Sequence, residues 1–232
     1  MTNKTLDIAW QNQEKVPGLV SGNDALMIYN SLPEQAKVGL SYDESSKTII
    51  GSTPFAVANL DSIAQEYGAR TPNLRDLSRP EVMRIAKDKH YIDSRNLVAR
   101  TPTDTYDKNN GLLKTIYELA EQQLGKIEGS FMIEGFNFVA DEEDKTGYGL
   151  KLAPTAEFKA VQDERLGGKN HRKSFADVDE LGLPNFDKNG SRTWYARDNG
   201  LSRLCLYWYL YLYSVSENLA VSNDDGRVVF LK

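Results

Sequence analysis

The strongest pattern in the chain is an alternation of leucine with aromatic residues near the C-terminus. The first series consists of Leu204, Leu206, Leu210 and Leu212, and the second of Cys205, Tyr207, Tyr209, Tyr211, Tyr213 and Val215. Only Trp208 interrupts the leucine series. Because successive side chains of an extended chain point to opposite faces, the pattern predicts a strand with a leucine face packed in the core and a tyrosine face opposite it.

The tyrosine face has two interpretations. A central strand buried on both faces would hold the tyrosines in the core, where each hydroxyl needs a hydrogen-bond partner. A recognition surface would expose them, because tyrosine combines a large contact area with few rotatable bonds and a hydroxyl. The chain has 12 tyrosines, and four of them fall within residues 207–213. The residues alone leave both interpretations open.

Shorter patterns upstream predict a mixture of strands and helices. Residues 26–29 and 47–50 are short apolar runs bounded by turn residues, which is typical of strands. Asp61 is placed to cap a helix that carries Tyr67 and ends at Gly68. Two further helices are expected, one beginning at Pro80 and one extending from Gly111 to Gly125.

The C-terminal half has strand signals separated by turns. Residues 131–139 and 148–152 predict a hairpin around a charged turn, and residues 194–197 and 227–231 predict two more strands. Residues 164–190 are polar and rich in turn signals, so a long covering loop is expected there. The chain is therefore expected to be an α+β protein.

Composition narrows the classes of function. The chain has 232 residues with 40% hydrophobic and 26% charged residues, as expected of a folded domain. A net charge of −5 argues against a nucleic-acid partner, because a protein that binds nucleic acid needs a basic face to neutralise the phosphates. The single cysteine allows no internal disulfide. The N-terminus lacks the apolar stretch of a signal peptide and no segment has the length of a membrane helix, so the chain is expected to be soluble, without membrane insertion.

The C-terminal segment resembles the end of variable proteins from diversity-generating retroelements, most closely their archaeal group. The resemblance lies in residues 200–214, residues 217–222 and residues 225–229. In these systems a reverse transcriptase copies a template with errors at adenines and overwrites the 3′ end of the target gene. The resemblance implies a C-type-lectin fold over residues 1–232 as one domain with long irregular loops, in which residues 194–232 form the variable region.

The same resemblance implies a ligand-binding display protein rather than an enzyme. The ligand is expected to be a protein or a cell-surface molecule, and no cofactor or metal is implied. The leucines would be fixed scaffold positions. The ligand-binding positions would be Cys205, Tyr207, Trp208, Tyr209, Tyr211, Tyr213, Val215, Ser216, Asn223 and Asp225. The variable positions are expected to arise from adenine-rich codons, often AAC, in which only the adenines are changed. Trp208 departs from this scheme, because its codon ends in G.

An enzyme is the alternative hypothesis, with an active site under the loop of residues 164–190. Formylglycine-generating oxidases have the C-type-lectin architecture but use paired cysteines, and this chain has only Cys205. A nucleophilic dyad would pair Cys205 with His90 or His171, although no spacing supports it. Residues 141–144 and 223–225 could offer oxygens to calcium, but neither has EF-hand spacing and solvated turns are the simpler interpretation.

Overall fold

An eight-stranded sheet forms the frame of the computed structural model, which describes residues 23–32, 34–37, 39–45, 47–66 and 68–231. The helices are α1 (Asn23–Ser31), α2 (Pro54–Gln65), α3 (Pro80–Lys87) and α4 (Asn110–Leu124). The strands are β1 (Ser41–Asp43), β2 (Thr48–Ile50), β3 (Ile92–Ala99), β4 (Phe131–Ala140), β5 (Leu150–Gln162), β6 (Lys173–Val178), β7 (Pro184–Phe186), β8 (Arg192–Ala196), β9 (Leu201–Leu206) and β10 (Leu212–Ser214). Short 3₁₀ helices span Glu34–Lys37, Arg75–Ser78, Asp107–Asn109, Glu164–Leu166 and Gly168–Asn170. The protein is thus a mixed α+β structure, as predicted.

The sheet places the C-terminal segment at its centre. The strand order is β5-β4-β3-β9-β10-β8-β6-β7, with β1 and β2 forming a separate two-stranded sheet. All neighbours in the large sheet are antiparallel except β10 and β8, which run parallel. Strands β9 and β10 therefore have neighbours on both edges, and their positions are fixed by the long-range pairing of β3 with β9 and of β8 with β10.

Among the described residues, three apolar clusters hold the frame together. The first cluster contains Leu204, Leu206 and Leu212 together with Trp194 and Phe175. The second lies where α2 and α4 pack against the strands β3, β4 and β5, and the third joins α1 and α2 to the chain end through Val228 and Phe230. The leucine face of the C-terminal segment is therefore part of the core, as the alternation predicted.

The observed ends of the helices test the helix signals in the sequence. Helix α3 begins at Pro80 as predicted, and helix α4 begins and ends within a residue of the predicted positions. Helix α2 begins earlier than predicted, because Thr53 caps it by accepting a hydrogen bond from the Ala56 amide at 3.2 Å and Pro54 opens its first turn. The prediction that Asp61 caps this helix is wrong. Asp61 lies inside it and forms an ion pair with Arg95 at 2.6 Å.

Three strand and loop predictions are also wrong. Residues 26–29 belong to α1, because an apolar run of four residues is compatible with either periodicity. Residues 164–190 are not a structureless loop, since they contain β6, β7 and two 3₁₀ helices, and Leu166, Phe175 and Leu183 from this segment are buried in the first cluster. Residues 227–231 form isolated bridges rather than a strand.

The strand of residues 47–50, the hairpin of β4 and β5 and the strand of residues 194–197 are confirmed, with shifted ends. None of the helices in the described part of the chain has the length and apolar character that a bilayer crossing requires. The N-terminal segment inspected for a signal peptide and the predicted helical residue Tyr67 lie outside the described residues.

Candidate ligand-binding surface

The alternating segment is two strands joined by a tight turn, not the single strand that the pattern predicted. The Tyr207 amide donates to the Tyr211 carbonyl at 3.0 Å, and the Leu210 amide donates to the Tyr207 carbonyl at 2.7 Å. Leu210 has a φ of 59°, in the left-handed region. This geometry is typical of a three-residue hairpin loop that ends in a left-handed residue. Residues 208–210 therefore form the tip of a hairpin between β9 and β10.

The separation of leucine from tyrosine survives the turn. In the pairing of β9 with β10, Leu212 lies opposite Leu206 and Tyr213 lies opposite Cys205. Directly opposed residues share a face of a sheet, so positions of one parity stay together on both strands. Leu204, Leu206 and Leu212 are buried, and Leu210 is partly buried against the same cluster. The tyrosine positions consequently lie together on the other face.

Six aromatic side chains form a closed circuit of ring contacts on this face, which we call the aromatic surface. In order around the circuit they are Tyr195, Tyr211, Tyr209, Trp208, Tyr207 and Tyr213, and the last contacts the first. Neighbouring ring centroids lie between 5.2 and 6.0 Å apart. Tyr209 is 66% exposed, and the other five are partly exposed. The rings therefore support one another while each remains accessible.

Sequence reasoning missed three residues at this face. Tyr195 joins the circuit because β8 pairs with β10 in parallel, which sets Tyr195 beside Tyr213. Tyr91 is buried beneath it and stacks on Tyr207 at 5.7 Å between centroids, while His171 packs edge-on against Tyr195. Tyr195 follows Trp194 in a predicted strand, so the two side chains point to opposite faces of the sheet. This alternation could have shown which face Tyr195 occupies. Nothing local in the sequence marks Tyr91, since only the sheet brings it here.

A buried ion pair lies under the aromatic surface. The guanidinium of Arg203 donates to both carboxylate oxygens of Asp93, at 2.7 and 2.6 Å, and lies 4.9 Å from the ring centroid of Tyr91. It also donates to the Val221 carbonyl. Burial opposes the charge of Arg203, but the attraction of Asp93 outweighs it and raises the pKa of the guanidinium above its usual range. Burial also raises the pKa of the Asp93 carboxyl, while the attraction of Arg203 opposes this shift. The pair links β3, β9 and the segment after β10.

A second buried arginine holds the other end of β10. Arg100 donates to the hydroxyls of Ser202 and Ser214 at 2.7 and 2.9 Å, and to the Leu166 carbonyl at 2.8 Å. All three acceptors are neutral, and burial lowers the pKa of Arg100 to about 9. Ser214 is fully buried. Its hydroxyl therefore belongs to the frame and not to the surface.

The proposed ligand contact of Cys205 requires a correction. Its side chain is 1% exposed, because β9 is covered on both faces. Burial raises the pKa of the thiol to about 12, so it stays protonated and a poor nucleophile at neutral pH. Its Sγ atom contacts the Tyr213 carbonyl at 3.7 Å, and no hydrogen bond joins it to His90 or His171 among the described residues. Cys205 is thus part of the floor beneath the surface.

That floor closes a cavity of about 150 Å³ at one side of the aromatic surface. Tyr91, Arg203 and Cys205 are its buried lining residues, and Tyr207 and Tyr213 are partly exposed walls. The cavity is therefore a recess with a rigid base and aromatic sides.

The remaining predicted site residues divide into two groups. Ser216 and Asn223 line the same cavity near its mouth, together with Val221, which is 48% exposed. Val215 and Asp225 do not line it. Asp225 is exposed, and its carbonyl accepts a hydrogen bond from the Tyr91 amide. The structure thus brings together the six aromatic residues, Ser216 and Asn223, with Cys205 below them.

The sites named for the alternative hypotheses have ordinary structural partners. The Asp144 carboxylate accepts hydrogen bonds from the amides of Gly147 and Gly149, as in a capped turn. The Asn223 side chain likewise accepts from the Asp225 amide at 3.0 Å. Within the described ranges, no group of three His, Cys, Asp or Glu residues is arranged to hold a metal. Residues 164–190 contribute Leu166, Phe175 and Leu183 to the first apolar cluster. Parts of the segment also line two cavities, one of about 330 Å³ at residues 164–169 and one of about 190 Å³ at Glu180 and Leu181.

The chain matches no protein-family model, no curated protein and no solved structure. The functional inference therefore comes from the geometry of the site.

Proposed function

We propose that this protein is a ligand-binding display protein of the C-type-lectin fold, rather than an enzyme, and that its aromatic surface contacts a protein ligand. The observation that supports the proposal is the closed circuit of six accessible rings. Aromatic residues are enriched where proteins bind one another, because a large rigid side chain loses little conformational entropy on binding. A contiguous aromatic patch that is exposed to solvent and binds no partner would promote aggregation.

The frame beneath the aromatic surface also supports binding. Its hydrogen bonds come from buried groups of the frame: Arg203 with Asp93, and Arg100 with Ser202 and Ser214. A surface whose backbone is already held in place loses less freedom when a ligand binds, and this favours affinity. The tyrosines can therefore act as a preformed contact face.

Diversification by a retroelement is part of this proposal. The scheme needs positions that change without unfolding the protein, and the accessible rings meet that need, since substitutions away from buried contacts usually have small effects on stability. Leu204, Leu206 and Leu212 are core residues and would be invariant. Ser214 would be invariant as well, while Ser216 would vary.

Population sequencing tests the diversification. The gene and its flanks would be sequenced from many members of the source population. We expect substitutions at Tyr207, Tyr209, Tyr211, Tyr213 and other accessible positions after residue 205, matched by adenines in a nearby template beside a reverse transcriptase gene. An invariant C-terminal segment without a template would overturn this part of the proposal.

A selection experiment tests the binding function. Ligands would be selected from a displayed library of folded small proteins, with the full chain as bait. We expect the selected ligands to lose roughly tenfold or more in affinity for Tyr209→Ser and Tyr211→Ser, as for central aromatic contacts in other interfaces. The matched control is Tyr106→Ser, which removes a partly exposed tyrosine outside the aromatic surface. Ligands that bind all three variants equally well would contradict the proposal.

A further inference from the structure

The cavity beside the aromatic surface has the size of one ring. Its volume is about 150 Å³, and cavities of about that size in other proteins hold a single benzene molecule. The Tyr207 and Tyr213 rings bound it with centroids 5.2 Å apart at an interplanar angle of 49°. An inserted ring would meet one of these faces in an offset or tilted arrangement, which aromatic pairs prefer.

The charges around the cavity favour a neutral guest. Among its described lining side chains, Arg203 is the only charged one, and Asp93 already engages it through both carboxylate oxygens. A charged guest would lose its hydration without gaining a free counter-charge, which is costly in a recessed site. A cation would also face the Arg203 guanidinium at the base.

The base of the cavity is polar while its sides are aromatic. Cys205 and Arg203 supply a thiol and guanidinium N–H groups there, and the thiol is neutral because burial raises its pKa to about 12. A guest that enters ring first and ends in a hydroxyl would place that hydroxyl at this polar base. The Arg203 N–H groups already donate to Asp93, Val221 and Ser52, so a plain phenyl ring would leave these bonds intact but would lack the additional hydrogen bond that a hydroxyl can make there.

We propose that this cavity is an anchor site for one tyrosine side chain of a protein ligand, whose phenol ring packs against the tilted rings of Tyr207 and Tyr213 and whose hydroxyl points to the Arg203 guanidinium at the base. The assignment rests on the proposed binding function. Aromatic side chains that fill pockets at the centre of an interface often provide much of the binding energy. The cavity thereby divides the surface into a recessed anchor site and a flatter region around Tyr209.

The test uses p-cresol, the isolated side chain of tyrosine, with the full chain. Two-dimensional NMR would follow the backbone amides of Cys205, Tyr213 and Val221 during titration. We expect a dissociation constant on the order of 1 mM, as is reasonable for a ligand with so few atoms. Toluene should bind about threefold more weakly because it lacks the hydroxyl that hydrogen-bonds at the polar base. Benzylamine and 4-methylbenzoate should bind at least about tenfold more weakly because each carries an unbalanced charge.

Two variants locate the binding. Ser216→Phe fills the cavity from its wall, and Val221→Trp covers its mouth from a residue that is 48% exposed and tolerates enlargement. Both should weaken p-cresol binding at least about tenfold, whereas Tyr106→Ser should leave it unchanged. Thermal melting checks that each variant is folded, and the Val221→Trp result decides the matter if Ser216→Phe does not fold.

Three outcomes would overturn the anchor site. The first is no p-cresol binding, and the second is p-cresol binding that is unchanged in Val221→Trp. The third is that a charged compound, or a methyl hexoside titrated in the same way, binds more tightly than p-cresol. These outcomes leave the binding function itself standing if selected ligands still depend on Tyr209. Conversely, p-cresol binding in the cavity combined with selected ligands that ignore Tyr209 and Tyr211 would remove the proposed function and retain only a small-molecule site.

Discussion

The opposite roles of the two faces of the C-terminal hairpin lead to a paired prediction for Leu206→Ala and Tyr209→Ser. Leu206 is fully buried in the first cluster beside Leu204 and Leu212, whereas Tyr209 is 66% exposed at the hairpin tip. Truncating a buried leucine removes its transfer energy and leaves a cavity, which costs about 2–5 kcal/mol. Truncating an exposed side chain usually changes stability by about 0.5 kcal/mol or less.

Urea denaturation followed by far-ultraviolet circular dichroism measures both free energies of unfolding. At about 2–4 °C per kcal/mol for a protein of this size, a loss of about 3 kcal/mol in Leu206→Ala lowers the melting temperature by roughly 6–12 °C. Tyr209→Ser should melt within about 2 °C of the parent. Affinity should respond in the opposite way: folded Leu206→Ala should bind selected ligands normally, and Tyr209→Ser should bind them roughly tenfold more weakly.

The refuting results are specific. If Tyr209→Ser lost more than about 2 kcal/mol, the tyrosine would be a structural residue and the alternation would describe a strand buried on both faces. If Leu206→Ala lost less than about 1 kcal/mol, the leucine face would not anchor the hairpin.

Three further predictions concern the groups beneath the aromatic surface. Asp93→Asn leaves a buried guanidinium without its counter-charge and should cost about 3–5 kcal/mol in urea denaturation, so a loss below about 1 kcal/mol would show that the pair is not buried. Ser214→Ala removes an acceptor of Arg100 and should lower the free energy of unfolding by about 1.5–3 kcal/mol. Ser216→Ala should lower it by about 0.5 kcal/mol or less. Equal losses in the two variants would contradict the division between frame and surface. Cys205 should resist a thiol reagent at pH 8 in the folded protein and react fully in denaturant, because burial raises the pKa of its thiol to about 12; rapid labelling of the native protein would speak against this burial.

Local signals were sufficient for part of the fold. Pro80 and Gly125 mark helix ends through their own backbone preferences, and the alternation of leucine with tyrosine needs only the two-residue period of an extended chain. The leucine face could be predicted because pairing across the hairpin joins residues of the same parity, as Leu206 and Leu212 show. A turn with the other register would have mixed the two faces.

Other features depend on contacts that no local pattern encodes. The turn of residues 208–210 escaped prediction because Leu210 occupies a left-handed position where glycine or asparagine is usual. Arg203 and Asp93 are separated by 110 residues and meet only because β3 pairs with β9. Tyr91 reaches the underside of the aromatic surface for the same reason. Cys205 was predicted to contact the ligand because it shares the odd-numbered positions of the tyrosines. The alternation identifies the face of the strand but does not show whether other residues cover that face.

The hairpin tip shows how the surface can be held without using its tyrosines. A leucine in the left-handed region is strained, at a cost of about 1–2 kcal/mol, and persists only where surrounding contacts compensate. At Leu210 these contacts are the packing of its side chain against the first cluster and the hydrogen bond of its carbonyl with Arg192 at 3.1 Å. Neither contact involves an exposed ring. The backbone path that displays Trp208 and Tyr209 is therefore set from below, so exchanging the exposed side chains should alter what the surface binds while leaving its shape in place.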